Sequence, residues 1–598
     1  MDGASTAAAG RQPIAPRPVL RAFLKSALRV PLVALALAMP CSVLNAQESV
    51  PAVLPVVRPV MECTQLTRSD LSGAAGVTMR ITAAAVTQEG SAEFCQVKGY
   101  VSPRVEFEVR LPTTKWTQRY VQTGCGGLCG GTRIRVNNAE NCAPASNGEL
   151  ALASTNTGHE TGGSDGAWAA DDLQLRVDFG YRSVHVTALA AKALIEKYYG
   201  QKARYSYFTG CSEGGREAMV EAQRYPEDFN GISAGAPAHN FITQNTFYHA
   251  WNARMNSDAD GRAILTAGKL PLLHAAVMEA CDALDGLKDG LLTEPTGCHY
   301  DPVALQCKSG QDSSTCLTPA QVNMVREVYR GAHDEKGRQL VIRGPLPGSE
   351  LQWRGIFVPA QPDQMASTTS ASLSTSVIKY MAYPKNPPHK FTLADFRFDE
   401  GTFKAMQFAH EIYDALNPDL SKFAAAGSKL IMWHGSADAA ISPVSTIGYY
   451  NAVETLMGAD RAKQFARLYL LPGGGHCTGG DEPISVDMLS PLMAWVERGI
   501  APNRLLSTQT RGAGSAPSVG APADPAKVIR IRPVFPYPQT PQFKGSGSID
   551  DPANFVAGMP KTLEPAKYDW VGASFFSTGY EKWCGWSGVG FVCSSERK

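Results

Sequence analysis

The chain has 598 residues, 44% of them hydrophobic and 19% charged, with a formal net charge of +1. That balance agrees with a globular enzyme and gives no electrostatic reason to expect nucleic acid or an anionic membrane as partner. Fourteen cysteines fit an exported protein better than a cytosolic one, where thiols stay reduced.

The N-terminus reads as a signal peptide over residues 1–46. Arg11, Arg17, Arg21, Lys25 and Arg29 precede an apolar run from Leu32 to Met39, followed by Pro40 and small residues up to Ala46. The run is far short of the ~20 residues that a membrane-spanning helix needs. A secreted or periplasmic protein without a membrane anchor is therefore expected. Loss of Cys41 with the signal would leave an odd number of cysteines.

Strand-like runs follow at Val105 to Leu111, Tyr120 to Thr123 and Glu149 to Ser154, and a helical pattern runs from Ser183 to Tyr199. They open an α/β sheet with crossover helices, a first catalytic part over residues 47–237. After the second strand comes the glycine-rich turn Gly124-Cys125-Gly126-Gly127, which lacks the lysine of a phosphate-binding loop. Cys125 and Cys129 have a zinc-like spacing, but no second ligand pair follows at the usual distance.

The strongest motif is Gly210-Cys211-Ser212-Glu213-Gly214-Gly215, set between a β-type run from Tyr205 to Thr209 and a helix-type run from Arg216 to Arg224. This is a nucleophile elbow in its required context: a serine on a sharp strand-to-helix turn has its hydroxyl exposed above the sheet, and only small neighbours fit. A serine hydroxyl needs a histidine to take its proton and an acid to orient the histidine. Both follow in the order serine, aspartate, histidine. Asp438 lies just past the apolar strand Lys429 to Trp433, where α/β folds put catalytic groups, and His476 follows the strand Ala466 to Leu471 through Pro472 and three glycines. Cys211 precedes the serine and Cys477 follows the histidine, so a disulfide between them would tie nucleophile to base. In this fold the amide after the nucleophile, that of Glu213, is one oxyanion donor, and the glycine-rich turn is the place for the second.

Between Pro237 and about Ala425 lie nearly two hundred residues, too many for a loop without structure of its own. This is the expected lid, residues 238–425. Within it, Asp282-Ala283-Leu284-Asp285-Gly286-Leu287-Lys288-Asp289-Gly290 places three carboxylates in a glycine-bearing turn. From spacing alone this is either a solvated acidic turn or a loop that wraps a hard cation. Residues 426–567 are the second catalytic part. Thr508 to Pro525 is rich in Gly, Ala, Pro and Ser and reads as an exposed connection. The extension 568–598 carries Trp570, Phe575, Phe576, Trp583, Trp586 and Phe591 beside Cys584 and Cys593, for packing on the domain or for stacking on a polymer.

These motifs resemble the tannase and feruloyl esterase family of α/β hydrolases from about Cys63 to Gly547. The resemblance is carried by residues 210–217, Ala234-Gly235-Ala236-Pro237, His434-Gly435-Ser436-Ala437-Asp438, Gly473 to Cys477, Trp495-Val496-Glu497-Arg498-Gly499 with Ala501-Pro502, and Pro536-Tyr537-Pro538-Gln539. It implies an α/β-hydrolase fold with a large inserted lid, and a secreted serine carboxylic ester hydrolase acting on aromatic acyl groups. It implies Gly127 as the second oxyanion donor, with Gly126 as the fallback. It also implies a structural Ca²⁺ held by Asp282, Asp285 and Asp289 with the carbonyls of Leu287 and Leu291. The implied disulfides are Cys63–Cys95, Cys211–Cys477, Cys281–Cys298 and Cys307–Cys316. Proximity adds Cys584–Cys593, and Cys129–Cys142 is the choice among the remaining three, leaving Cys125 free.

His434 and Ile441 are expected at the substrate pocket. A terephthalate-specific relative uses a lid arginine and an aromatic clamp where this chain aligns Thr369 and Ile441, which favours esters of phenolic acids, such as feruloyl or galloyl esters, over terephthalate monoesters. A mono(2-hydroxyethyl) terephthalate hydrolase-like activity is the alternative. Acyl transfer to an alcohol, and an inactive calcium-stabilised polymer-binding protein, are the further rivals; a complete triad argues against the last. The sequence leaves the oligomeric state open.

Overall fold

A computed structural model describes residues 50–598 except 137, 479–483, 512–523, 566, 588–589 and 597–598. The expected signal peptide and most of the expected connection from Thr508 to Pro525 lie outside the described residues. Among the described residues no helix is long and apolar enough to cross a membrane.

The core is a nine-stranded sheet of β1 (Met79–Glu89), β2 (Ala92–Val101), β3 (Val105–Pro112), β4 (Arg119–Thr123), β5 (Leu150–Thr155), β6 (Tyr205–Cys211), β7 (Gly231–Gly235), β8 (Lys429–Gly435) and β9 (Ala466–Leu471). The order is β1-β2-β3-β5-β4-β6-β7-β8-β9. β1, β2, β3 and β5 pair antiparallel in succession, and every pair from β5–β4 to β8–β9 is parallel. The difference shows in the side chains. β4 and β7 are buried at every residue, as parallel strands covered on both faces must be, whereas the edge strand β1 is largely exposed. Crossovers run through helices: α1 (Ser183–Tyr199) enters β6, and α2 (Glu213–Arg224) joins β6 to β7.

The chain leaves the sheet after β7 and returns at β8, so the long insertion falls at one sheet position. It contains α3 (His249–Met255), α4 (Leu270–Cys281) and α5 (Thr369–Tyr380), with bridges Cys281–Cys298 and Cys307–Cys316. Phe241, Phe247, Trp251 and Met381 of this insertion belong to the same apolar cluster as Phe208 and Met219 of the sheet layer. Accordingly Ala46–Lys598 forms one compact unit. After β9, α6 (Leu489–Arg498) covers the sheet, and β10 (Ile484–Val486), β11 (Leu505–Thr510) and β12 (Val528–Val534) form a small antiparallel sheet.

The C-terminal extension packs on the domain. Trp570 and Phe575 are each 4% exposed, and Trp583 meets Tyr181 and Tyr225 edge-on. It closes as a hairpin from Trp583 to Ser594 across Cys584–Cys593, with Trp586 left 74% exposed. Cys63–Cys95 staples the N-terminal turn to β2.

Candidate active site

Ser212 sits between β6 and α2 with φ 65° and ψ −119°, a region that a side-chain-bearing residue adopts only when its surroundings enforce it. They do so through backbone bonds: the Ser212 amide donates to Gly235 O at 2.9 Å, and Ser212 O accepts from Arg216 N and Ala238 N at 3.0 Å each. The glycines of the motif are a packing requirement. A Cβ on Gly210 would lie 2.4 Å from Gly214 O, and one on Gly215 would lie 2.3 Å from Gly235 O.

Asp438 follows the C-terminal end of β8 and is fully buried. One carboxylate oxygen takes the amides of Ala440 (2.8 Å) and Ile441 (3.0 Å); the other faces His476 Nδ1 at 2.7 Å and His434 Nε2 at 3.1 Å. Burial alone would raise its pKa. The charge of His476 and hydrogen bonds from His434 and His476 overcome that and hold it well below the usual carboxylate range. Burial in turn disfavours the charged imidazole of His476, but Asp438 outweighs this and raises His476 above 6.5. Because an ionised carboxylate only accepts, the proton is assigned to Nδ1, which leaves Nε2 as the basic nitrogen.

The disulfide Cys211–Cys477 joins the residues next to Ser212 and His476, with Cα atoms 5.9 Å apart. Ser212 Oγ and His476 do not yet share a hydrogen bond, and His476 keeps 27% of its side chain exposed. In free hydrolases this contact often tightens only when substrate is bound.

His434 does not line a substrate pocket. It is fully buried, donates from Nε2 towards Asp438 and Ile441 O (3.1 Å), and accepts at Nδ1 from Thr446 Oγ1 at 2.8 Å. Its place is behind Asp438, against the carboxylate oxygen that also faces His476. Ile441 is 4% exposed and serves through its backbone. Thr369 is exposed at the start of α5, and the neighbouring Ser370 turns inward to His249 at 2.8 Å. This His249–Ser370 pair was not legible in the sequence. Tyr248 beside it donates to Ala439 O at 2.9 Å, so the insertion reaches the Asp438 loop. Burial, then the nearby His476, hold His249 down at about 3, which keeps it neutral.

Gly127 lies in the turn after β4 with φ 61°, a conformation that favours glycine, and a Cβ there would lie 2.6 Å from Gly163 O. The turn rests on α2, where Gly214 N donates to Cys125 O at 2.9 Å. Glu213, first residue of α2, places its side chain in a buried pair with Arg216. Arg216 also donates to Gly180 O, Phe179 O and Tyr413 O, anchoring the helix start to two other segments.

The expected Cys129–Cys142 bridge is corrected. Cys125 pairs with Cys129, four residues away, and Cys142 is free and buried, its thiol pushed up to about 12 first by burial. The turn geometry decides this: Gly126 O accepts from Cys129 N at 3.1 Å, folding the two cysteines together, whereas Cys142 enters the apolar layer beneath β5.

In the acidic loop, Asp282 accepts from Gly290 N, Asp285 from Leu287 N (2.9 Å), and Asp289 meets Arg532 of β12 at 2.5 Å while its carbonyl takes Arg530. The three carboxylates do not close to within 4.8 Å of one another. Among the described residues the triple of ligand groups that does is Cys125, Cys129 and Glu217.

A strained serine at a strand-to-helix turn, with an acid and a histidine from successive later strands of a mostly parallel sheet, defines an α/β hydrolase. Residues 85–557 match the tannase and feruloyl esterase family, and the chain belongs to that family. It is a carboxylic ester hydrolase. It is 33% identical to mono(2-hydroxyethyl) terephthalate hydrolase of Piscinibacter sakaiensis over 78% of this chain and 85% of the relative. It is 32% identical to a probable feruloyl esterase of Arthroderma benhamiae over 74% and 81%. Among solved structures, feruloyl esterase B from Aspergillus oryzae superposes with TM-score 0.70 at 25% identity, covering 83% of this chain and all of that one. Tannin acyl hydrolase from Aspergillus niger shares the fold, with TM-score 0.61 at 21% identity over 84% and 92%.

Proposed function

We propose that the protein is a secreted serine esterase that cleaves esters of phenolic acids, with Ser212 as nucleophile, His476 as base and Asp438 as its orienting acid. The observation that carries this reading is the 2.7 Å His476–Asp438 contact, linked through Cys211–Cys477 to the strained Ser212. Ser212 attacks the ester carbonyl while His476 Nε2 takes its proton, and the amides of Gly127 and Glu213 hold the oxyanion. The proton passes to the departing alcohol, and water then attacks the acyl-serine to release the acid.

The feruloyl esterase likenesses support a phenolic acyl group. The exposed Thr369 offers no cation for a free terephthalate carboxylate, although the 33% relative keeps that monoester as a second substrate to test. Six disulfides among the described residues support an oxidising compartment.

The acidic loop offers a hard cation donors that are all oxygen, the carboxylates of Asp282, Asp285 and Asp289 and the carbonyls of Leu287 and Leu291, but here the carboxylates stand apart and Asp289 is engaged by Arg532. A Ca²⁺ there would neutralise the loop and fix it next to Arg530 and Arg532. Its part would be structural.

Turnover of methyl ferulate, methyl gallate and mono(2-hydroxyethyl) terephthalate, compared side by side with Ser212→Ala as blank, tests the reading. Ser212-dependent acid release from a phenolic ester is expected. Turnover of the terephthalate monoester alone would reassign the acyl pocket, and release of an acyl-alcohol product instead of acid would make the enzyme a transferase.

A further inference from the structure

The oxyanion turn is held from below by a carboxylate that the mechanism does not use. Glu217 lies on α2 one turn beyond Glu213 and is 2% exposed. One of its oxygens accepts the Cys125 amide at 3.0 Å; the other lies 3.3 Å from Cys125 Sγ and 3.9 Å from Cys129 Sγ. Gly124 is packed so tightly on it that a Cβ there would lie 2.6 Å from Glu217 Oε2.

The tether is double. Cys125 donates its amide to Glu217 and accepts at its carbonyl from Gly214 N, so the peptide units flanking one residue are both fixed to α2. The amide of Glu213 belongs to that same helix. The Cys125–Cys129 bridge closes a short ring around Gly127. Helix, carboxylate and ring together set the distance between the two proposed oxyanion donors, which must be in place before the reaction, since donors that have to reorganise lose most of their effect.

We propose that Glu217 is a positioning residue for the oxyanion hole, fixing Gly127 relative to Glu213 through the Cys125 amide and the Cys125–Cys129 ring. This rests on the esterase reading and on Gly127 and Glu213 as its donors. Burial, followed by the neighbouring Glu213 charge, lifts Glu217 to about 8. It is therefore mostly neutral at pH 7, and a glutamine reproduces both its shape and its acceptor.

The test compares kcat, KM and thermal midpoint of Glu217→Ala, Glu217→Gln and the double variant Cys125→Ser/Cys129→Ser on methyl ferulate and p-nitrophenyl acetate. Glu217→Ala should lose roughly 100-fold in kcat, the low end of the loss on removing one oxyanion donor, with KM within about 3-fold. Glu217→Gln should stay within about 5-fold of the parent. The cysteine double variant should lower kcat in the same manner, and its loss should not multiply with that of Glu217→Ala, because both act through one turn. Wild-type kcat in folded Glu217→Ala, or equal losses in the Gln and Ala variants, would overturn the proposal. Should Glu217→Ala fail to fold, the Gln and cysteine variants decide: a poor Gln variant or an unaffected cysteine variant overturns it. A parent enzyme inactive on both esters would instead defeat the esterase reading on which this one rests.

Discussion

Cys211 and Cys477 are joined across 266 residues of sequence, with their Cα atoms 5.9 Å apart. The turn that carries Ser212 and the loop that carries His476 thus form one covalent unit, although their strands are separated in the sheet by β7 and β8. The left-handed φ of Cys477, 52°, belongs to the same arrangement.

Replacing both cysteines by alanine frees the His476 loop without leaving an unpaired thiol. An effective general base contributes about 10²- to 10⁴-fold, and a loosely held one part of that. A fall in kcat of about 10-fold or more is expected, larger than the change in KM. Unchanged kcat in the folded double variant would show that packing alone positions the base.

The proton balance of the site sets its pH dependence. As the proposed base, His476 acts when neutral, and Asp438 raises its pKa above 6.5. In the free enzyme kcat/KM should therefore decline as pH falls through a value above 6.5. Asp438→Asn removes the raising charge, so the limb should move to lower pH while kcat drops by about 10⁴, as when an asparagine traps the wrong tautomer. An acid limb that stays in place in this variant would assign the titration to another group.

His434→Phe would test the second partner of the acid. It removes the donor to Asp438 but retains an aromatic ring in the buried space. A kcat loss of about 10-fold with KM nearly unchanged is expected. A selective rise in KM would return His434 to the substrate pocket.

Arg119 and Glu497 form a bidentate pair whose side chains are 2% and 0% exposed, and Glu497 also takes the Tyr207 hydroxyl and the Ala52 amide. Burial disfavours the Arg119 charge, but the hydrogen bonds and charge of Glu497 more than compensate and raise the Arg119 pKa. Arg119→Ala leaves a carboxylate buried without its cation, at a cost of about 3–5 kcal/mol. Differential scanning calorimetry should record a clearly lowered midpoint, with kcat retained below the transition.

A chelator tests the acidic loop. If Ca²⁺ binds Asp282, Asp285 and Asp289, treatment with EDTA should lower the thermal midpoint and added Ca²⁺ restore it, since a ligand that binds only the folded state stabilises it by mass action. An identical midpoint in both conditions would leave Arg530 and Arg532 as the loop's counter-charges.

Much of the site was legible because strand-to-loop transitions are written in local chemistry. An apolar run ending in Gly-x-Ser-x-Gly, or in an aspartate or glycines before a histidine, marks the end of a parallel strand. What escaped the sequence depends on partners distant in the chain. β1 and β2 were missed: Ala83-Ala84-Ala85 lies in an edge strand with one face in solvent, without the bulky alternation that marks a strand. His434 is expected at the substrate pocket, yet β8 buries it. The cysteine assignment failed because the fold of the Gly126-Gly127 turn decides the partner of Cys129, and spacing does not encode it. Glu217 lies in the most readable motif of the chain, but its target, the Cys125 amide, is 92 residues away.

The most direct measurement is active-site labelling with a fluorophosphonate, followed by peptide mass spectrometry. One equivalent of label on Ser212 in the parent enzyme, and a rate of labelling reduced by orders of magnitude in His476→Ala, is the result this account predicts. Label on another residue, or equal labelling of Ser212 without His476, would contradict a serine nucleophile activated by that histidine.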